Sequence, residues 1–112
     1  MIINKAKKTK AFIHIDKGNS FKKRLLGFMF RKDPLKNEAL LLTPCKSIHM
    51  CFMLFSIDAV FIDQNGVVVG IRENLRPWNI VLPIKKAHST LELPIGSVKL
   101  LQIESGDQLQ LN

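Results

Sequence analysis

The chain has 112 residues, 46% of them apolar, and a formal net charge of +8, which allows one globular domain with its own core and excludes a disordered chain or two domains of ordinary size. No run approaches the roughly 18 uninterrupted apolar residues of a membrane-spanning helix, and the basic opening MIINKAKKTKAFIH lacks the apolar stretch and small-residue cleavage site of a secretory signal, so no transmembrane segment and a cytoplasmic setting are expected. The charge is one-sided: residues 1–36 hold eleven Lys and Arg against Asp16 and Asp33, a balance of +9, and the remainder sums to −1. Such a field suits nucleic acid, an anionic membrane surface or an acidic protein, or it is simply a solvated face.

In chain order, AFIHI at 11–15 reads as a short strand, followed by the turn signal Asp16-Lys17-Gly18-Asn19. A helix is then expected from Asn19 or Ser20, with Phe21, Leu25 and Phe28 on one face. Lys22, Lys23 and Arg24 fall in its first turn, where the helix dipole disfavours cations. With Arg31 and Lys32 they form the candidate anion-binding set.

From Ala39 the periodicity becomes extended. ALLLT, the stretch around 48–54, IDAVFID, VVVGI and STLEL are short apolar runs separated by turn residues, the pattern of an all-β barrel or sandwich. IGSVKLLQI after Pro94 can form one or two helical turns, and Ser105-Gly106-Asp107 leads into an alternating final strand, QLQL. The expected fold is therefore mainly β: a single compact domain, barrel or sandwich of jelly-roll type, with one or two short helices.

Asp63-Gln64-Asn65-Gly66 is the strongest local signal. Asp at the first position and Gly at the left-handed position favour a three-residue loop with a bulge, which pairs Asp63 with Val67 and, counting back, sets Asp58 opposite Arg72. The alternative two-residue loop would set Asp58 against Glu73, a repulsive pair. Asp58 shares a strand face with Val60 and Ile62, so a lone acid must be paired there, and Arg72 is the expected structural partner.

Cys45, His49 and Cys51 spell C-x3-H-x-C, a weak metal pattern. On an extended strand Cys45 would lie about 13 Å from His49, and a fourth ligand is not evident, so the thiols read as small core hydrophobes and no metal or other cofactor is expected. An extended path also sets the two cysteines about 20 Å apart, beyond the roughly 7 Å of a bridgeable pair. A Cys51 nucleophile with His49 as base lacks an orienting acid and an oxyanion-hole motif. Met29, Met50 and Met53 read as core filler, and Trp78 in RPWN as the cap of one end of the sheet or the rim of a pocket. His49, Met53, Asp58 and Trp78 are the candidate ligand-binding groove. The function this favours is a non-catalytic binding or interaction module; the alternatives are a small enzyme or metal-dependent domain using Asp58 and His49, and an anionic-surface binder using the basic third.

The order SFKKRLLGFMFRK, LLTPCKSIHMCFMLFSIDAVFIDQNGVVVGI, LRPW and STLELPIGSVKLLQIESGDQLQL resembles the prokaryotic family of domain of unknown function 192 over about residues 11–111. The most specific parts are RLLGFM at Arg24 to Met29, the core with Phe52, Met53, Asp58, Phe61 and Asp63, and the tail with Glu92, Gly96, Gly106 and Asp107. The resemblance implies a compact β-rich domain and brings no established activity. Leu54 and Ser56 depart from it, standing where a basic or polar residue and a proline are common, and Cys51 stands where an aromatic is common.

Overall fold

The computed structural model describes residues 1–18, 33–50 and 53–112, with backbone only at Ile48 and His49. The helix expected from residue 19, Met29 and the RLLGFM block lie outside the described residues.

Ten strands and one short helix are present among the described residues. In order they are β1 (Ile2–Asn4), β2 (Thr9–Ala11), β3 (His14–Gly18), β4 (Glu38–Leu42), β5 (Ile48–His49), β6 (Ile57–Ile62), β7 (Val68–Leu75), β8 (Ile80–Val81), β9 (Ser89–Leu93), α1 (Ser97–Leu100) and β10 (Leu109–Leu111). They form a five-stranded sheet in the order β3-β4-β9-β6-β7, a three-stranded sheet β10-β1-β2 and a two-stranded ribbon β5-β8. The arrangement is mainly β and sandwich-like; among the described residues no sheet closes into a barrel. All pairings are antiparallel except β3 with β4. Among the described residues no helix is long and apolar enough to cross a membrane.

The five-stranded sheet is covered on both faces. Every residue of β6 and β9 is buried; β6 is accordingly a near-continuous apolar run, whereas β9 buries Ser89, Thr90 and Glu92 as well as its two leucines. Strand alternation sends Ile57, Ala59 and Phe61 to one face, where Leu40, Leu42, Met50, Met53, Phe55 and Leu75 complete a core. Val60 and Ile62 go to the other face, with Leu91, Leu93, Ile2, Val98, Leu101 and Leu109. The second core is closed by the three-stranded sheet and α1, and Asn4 fastens that lid. Its buried side-chain amide donates to Leu101 O and Asp107 Oδ2, both at 3.0 Å, while its Oδ1 accepts from the Ala6 and Lys7 amides.

Several expectations are corrected. The strand read at 11–15 is broken at Phe12 and Ile13, so its two halves belong to different sheets. Asp16–Gly18 is not a turn: it continues β3, held by parallel pairing with Leu40–Leu42, a partner remote in sequence that local propensity cannot report. Among the described residues of the stretch at 48–54, only Ile48 and His49 form a strand, the two-residue β5. β1 and β8 carried no recognisable local signal.

The hairpin loop follows the three-residue reading. Asp63 N donates to Val67 O at 3.0 Å, Gly66 N donates to Asp63 O at 3.1 Å, and Gly66 sits at φ 81°. A side chain there would also meet Leu109 O at 2.8 Å, so glycine is required twice over. The register behind the loop is different from the one extrapolated. Ile62 pairs with Val68 but Phe61 pairs with Gly70, which leaves Val69 as an extra residue in β7, and Ala59 rather than Asp58 comes opposite Arg72. A second irregularity follows before Ile57 pairs with Leu75, so Asp58 faces the two-residue step Glu73-Asn74.

Candidate functional site: two buried acids and an exposed apolar ribbon

Asp58, 1% exposed, lies on the face shared with Leu93, toward α1. Its carboxylate is held by main-chain donors. Oδ1 accepts from Asn74 N at 2.9 Å, and Oδ2 accepts from Gly96 N at 3.1 Å and Val98 N at 3.0 Å. The chain makes these donors available by two left-handed residues, Asn74 at φ 51° and Gly96 at φ 89°. The expected Arg72 partnership is therefore corrected. The Val69 bulge moves Arg72 one position along, and its Nη1 donates at 2.7 Å to the carbonyl of neighbouring Ile71 on the exposed side. An anion solvated by three peptide N–H groups is the structural outcome: Asp58 ties β6 to the β7 bulge and to the start of α1.

The other predicted groove residues do not gather around it. Met53 is 3% exposed and packs in the opposite core with Met50, and its amide donates to Met50 O at 3.1 Å. His49 sits in β5 opposite Ile80, and its side chain is outside the described residues. Trp78 is 60% exposed at φ 71°, and its amide donates to Met50 O at 2.7 Å. The structure thus brings the His49 backbone, Met50, Met53 and Trp78 to one side of the sheet and puts Asp58 on the other.

Cys45 is a half-buried free thiol that donates to Ser47 O at 3.0 Å. Its backbone is pinned to the end of β9, with its amide donating to His88 O at 2.8 Å and its carbonyl accepting from Thr90 Oγ1 at 3.1 Å. Cys51, Lys22, Lys23, Arg24, Arg31 and Lys32 lie outside the described residues. Among the described residues no three of His, Cys, Asp and Glu stand together as a metal-holding group. Beside Cys45, His88 Nδ1 lies 3.0 Å from Ser89 Oγ and 3.4 Å from Thr43 Oγ1, and the two hydroxyls lie 2.8 Å apart, so the three side chains close a small hydrogen-bonded ring.

Sequence reasoning placed Glu92 in a motif and gave it no role. It is 5% exposed, directly opposite Leu40 and Ala59, on the face away from Asp58. Among the described residues no donor reaches its carboxyl group, and burial alone pushes its pKa up to about 7. The available signal was the composition of STLEL: a strand that must be buried on both faces leaves its one acid nowhere to go. The contrasting acid is Asp107, held below the usual carboxylate range mainly by Lys7, whose Nζ donates at 3.0 and 2.8 Å to its two oxygens.

The exposed feature on the Trp78 side is apolar. In β8, Val81 is buried while Ile80 and the following Leu82 are 66% and 76% exposed, and Trp78 precedes them. Among the described residues β8 pairs only with β5.

Taken together, these features define a small two-core β-sandwich domain with one buried acid held by main-chain amides, a second that no described donor reaches, and an exposed apolar ribbon. The chain belongs to the DUF192 family, described as uncharacterized ACR, whose model matches residues 2–111. It is similar to a UPF0127 protein of Pyrococcus abyssi, 36% identical over 115 residues that cover 98% of this chain and 96% of the relative. Two crystal structures share the fold. One is a protein of unknown function from Novosphingobium aromaticivorans, with TM-score 0.77 and 21% identity over 88% of this chain and 75% of that one. The other is a candidate transcription regulator from Sinorhizobium meliloti 1021, with TM-score 0.83 and 22% identity over 97% of this chain and 88% of that one.

Proposed function

We propose that the protein is a non-catalytic binding module that takes up an extended apolar peptide segment of a partner protein along β8. The observation that carries this reading is the exposure of Ile80 and Leu82 on either side of buried Val81, in a strand that has one hydrogen-bonded neighbour among the described residues. Large apolar side chains grouped on a surface are unfavourable in water and mark contact sites. An extended segment added to an open strand edge satisfies the main-chain groups, while alternate side chains meet the apolar ones. The sealed state of Asp58 supports the non-catalytic part, because its lone pairs are already used by three amides. A cytoplasmic setting is part of the same reading, supported by the free thiol of Cys45.

Selection of displayed random peptides on the intact protein tests it. Enriched peptides should be rich in β-branched and aromatic residues, should change the emission of Trp78, the only tryptophan in the chain, and should be lost with the double variant Ile80→Ser, Leu82→Ser. Peptides that bind that variant as well as the parent, or a selection without enrichment, would overturn the reading.

A further inference from the structure

A second apolar surface lies at a different place in the fold. Phe12, in the break between β2 and β3, Ile95, in the link from β9 to α1, and Leu100, in α1, are each more than half exposed. All three line one groove of about 780 Å³. Its floor is greasy too, with Ile13 and Leu35 both buried. Among the described residues of the lining, Lys36 is the only charged one and none is an acid. Just outside it, Lys10 Nζ stands 5.8 Å from the centre of the Phe12 ring.

The walls are fixed rather than loose. Asp58 takes the Gly96 and Val98 amides and so anchors the Ile95 side. His14 N donates to Asn37 O at 2.9 Å and joins the Phe12 side to the Lys36 side. A volume of this size is in the range of small-molecule sites, where an apolar surface supplies affinity and a few polar groups orient the ligand. Walls whose described residues are mainly apolar, with one cation and no carboxylate among them, are complementary to an occupant with a hydrocarbon body and one negative head.

We propose that this groove binds a single-chain amphiphilic anion, a medium-length acyl chain ending in a carboxylate, with the chain against Ile13, Leu35, Ile95 and Leu100 and the head at Lys36. The site is separate from the β8 edge, and neither reading depends on the other. Phe12 packs along the chain. Lys10, already over the Phe12 ring, adds positive potential at the mouth.

The test is amide NMR of the full chain titrated with decanoate below its micelle-forming concentration, beside decyltrimethylammonium and butanoate at equal concentrations. Decanoate should shift the amides of Phe12, Ile13, Lys36, Ile95 and Leu100 with saturation, and should leave Ile80, Leu82 and the Trp78 emission unchanged. Butanoate should bind at least about tenfold more weakly, because most of the apolar contact is lost. Lys36→Glu and, separately, Leu100→Asn should each weaken decanoate about tenfold or more, while Ile80→Ser with Leu82→Ser should change nothing. The headgroup comparison uses the unaltered protein, so it decides the matter even where a variant fails to fold. Equal binding of decyltrimethylammonium, shifts centred outside the groove, or a response to anionic vesicles with none to monomeric decanoate would overturn the proposal.

Discussion

The two faces of the five-stranded sheet each bury one carboxylate, on neighbouring strands and offset by one residue in register, and treat it in opposite ways. On the α1 face, Asp58 receives three main-chain donors. On the other, Glu92 meets Leu40 and Ala59 and receives no donor from the described residues. The difference shows that burial alone does not decide what an acid does. Left-handed residues and a strand irregularity aim peptide N–H groups at Asp58, whereas the ladders that flank Glu92, with β4 and with β6, run in unbroken register.

The same chemical change should therefore act in opposite directions on the two faces. Asp58→Asn removes the charge and turns an amide NH2 toward a main-chain donor, and should cost about 3–5 kcal/mol of unfolding free energy at pH 7 in urea denaturation. A variant as stable as the parent would show that the three amides do not need a carboxylate.

Glu92→Gln should be neutral at low pH and stabilising at high pH. The folded protein holds the Glu92 proton more tightly than the unfolded chain, with a pKa near 7 against 4.5. Stability from that protonated state is complete below pH about 4.5, falls as the pH rises, and is gone above about 7, a difference of about 3 kcal/mol. Denaturation at pH 5 and pH 8.5 should show the parent losing stability relative to Glu92→Gln by up to that amount. Parallel pH profiles for the two proteins would refute the buried neutral acid.

Asn4→Ala removes the clamp between β1 and the end of α1, leaving the Ala6 amide without its Oδ1 acceptor and Leu101 O with the Thr9 hydroxyl but one donor fewer, and should cost about 2 kcal/mol in the same assay. Gly96→Ala is the mildest test. No atom lies within 4 Å of the added methyl group, so only the left-handed backbone resists it, at about 1 kcal/mol. A larger loss would mean that the Gly96 amide moves away from Asp58.

Much of the strand content was legible in the sequence, because β4, β6, β7, β9 and β10 are runs of apolar residues with turn chemistry between them. The loop at Asp63–Gly66 was legible because only glycine suits the left-handed position. What did not follow is non-local. Asp16–Gly18 has turn residues but takes a parallel partner more than twenty positions away. The partner of Asp58 depended on one extra residue at Val69, which shifts the register without a mark in composition. For the site, the sequence named Trp78 and Met53 but linked them to Asp58, which faces away. The residue types of Ile80 and Leu82 carry no mark of their exposure, since an exposed edge and a buried strand use the same ones.

Strand β6 is bonded on both sides, to β7 and β9, and covered above and below. Its peptide protons at Val60 and Phe61 consequently have no route to bulk solvent through fraying or a small local fluctuation. Their deuterium uptake should proceed only when the whole molecule opens, which makes those two positions an internal gauge of global unfolding in undenatured buffer.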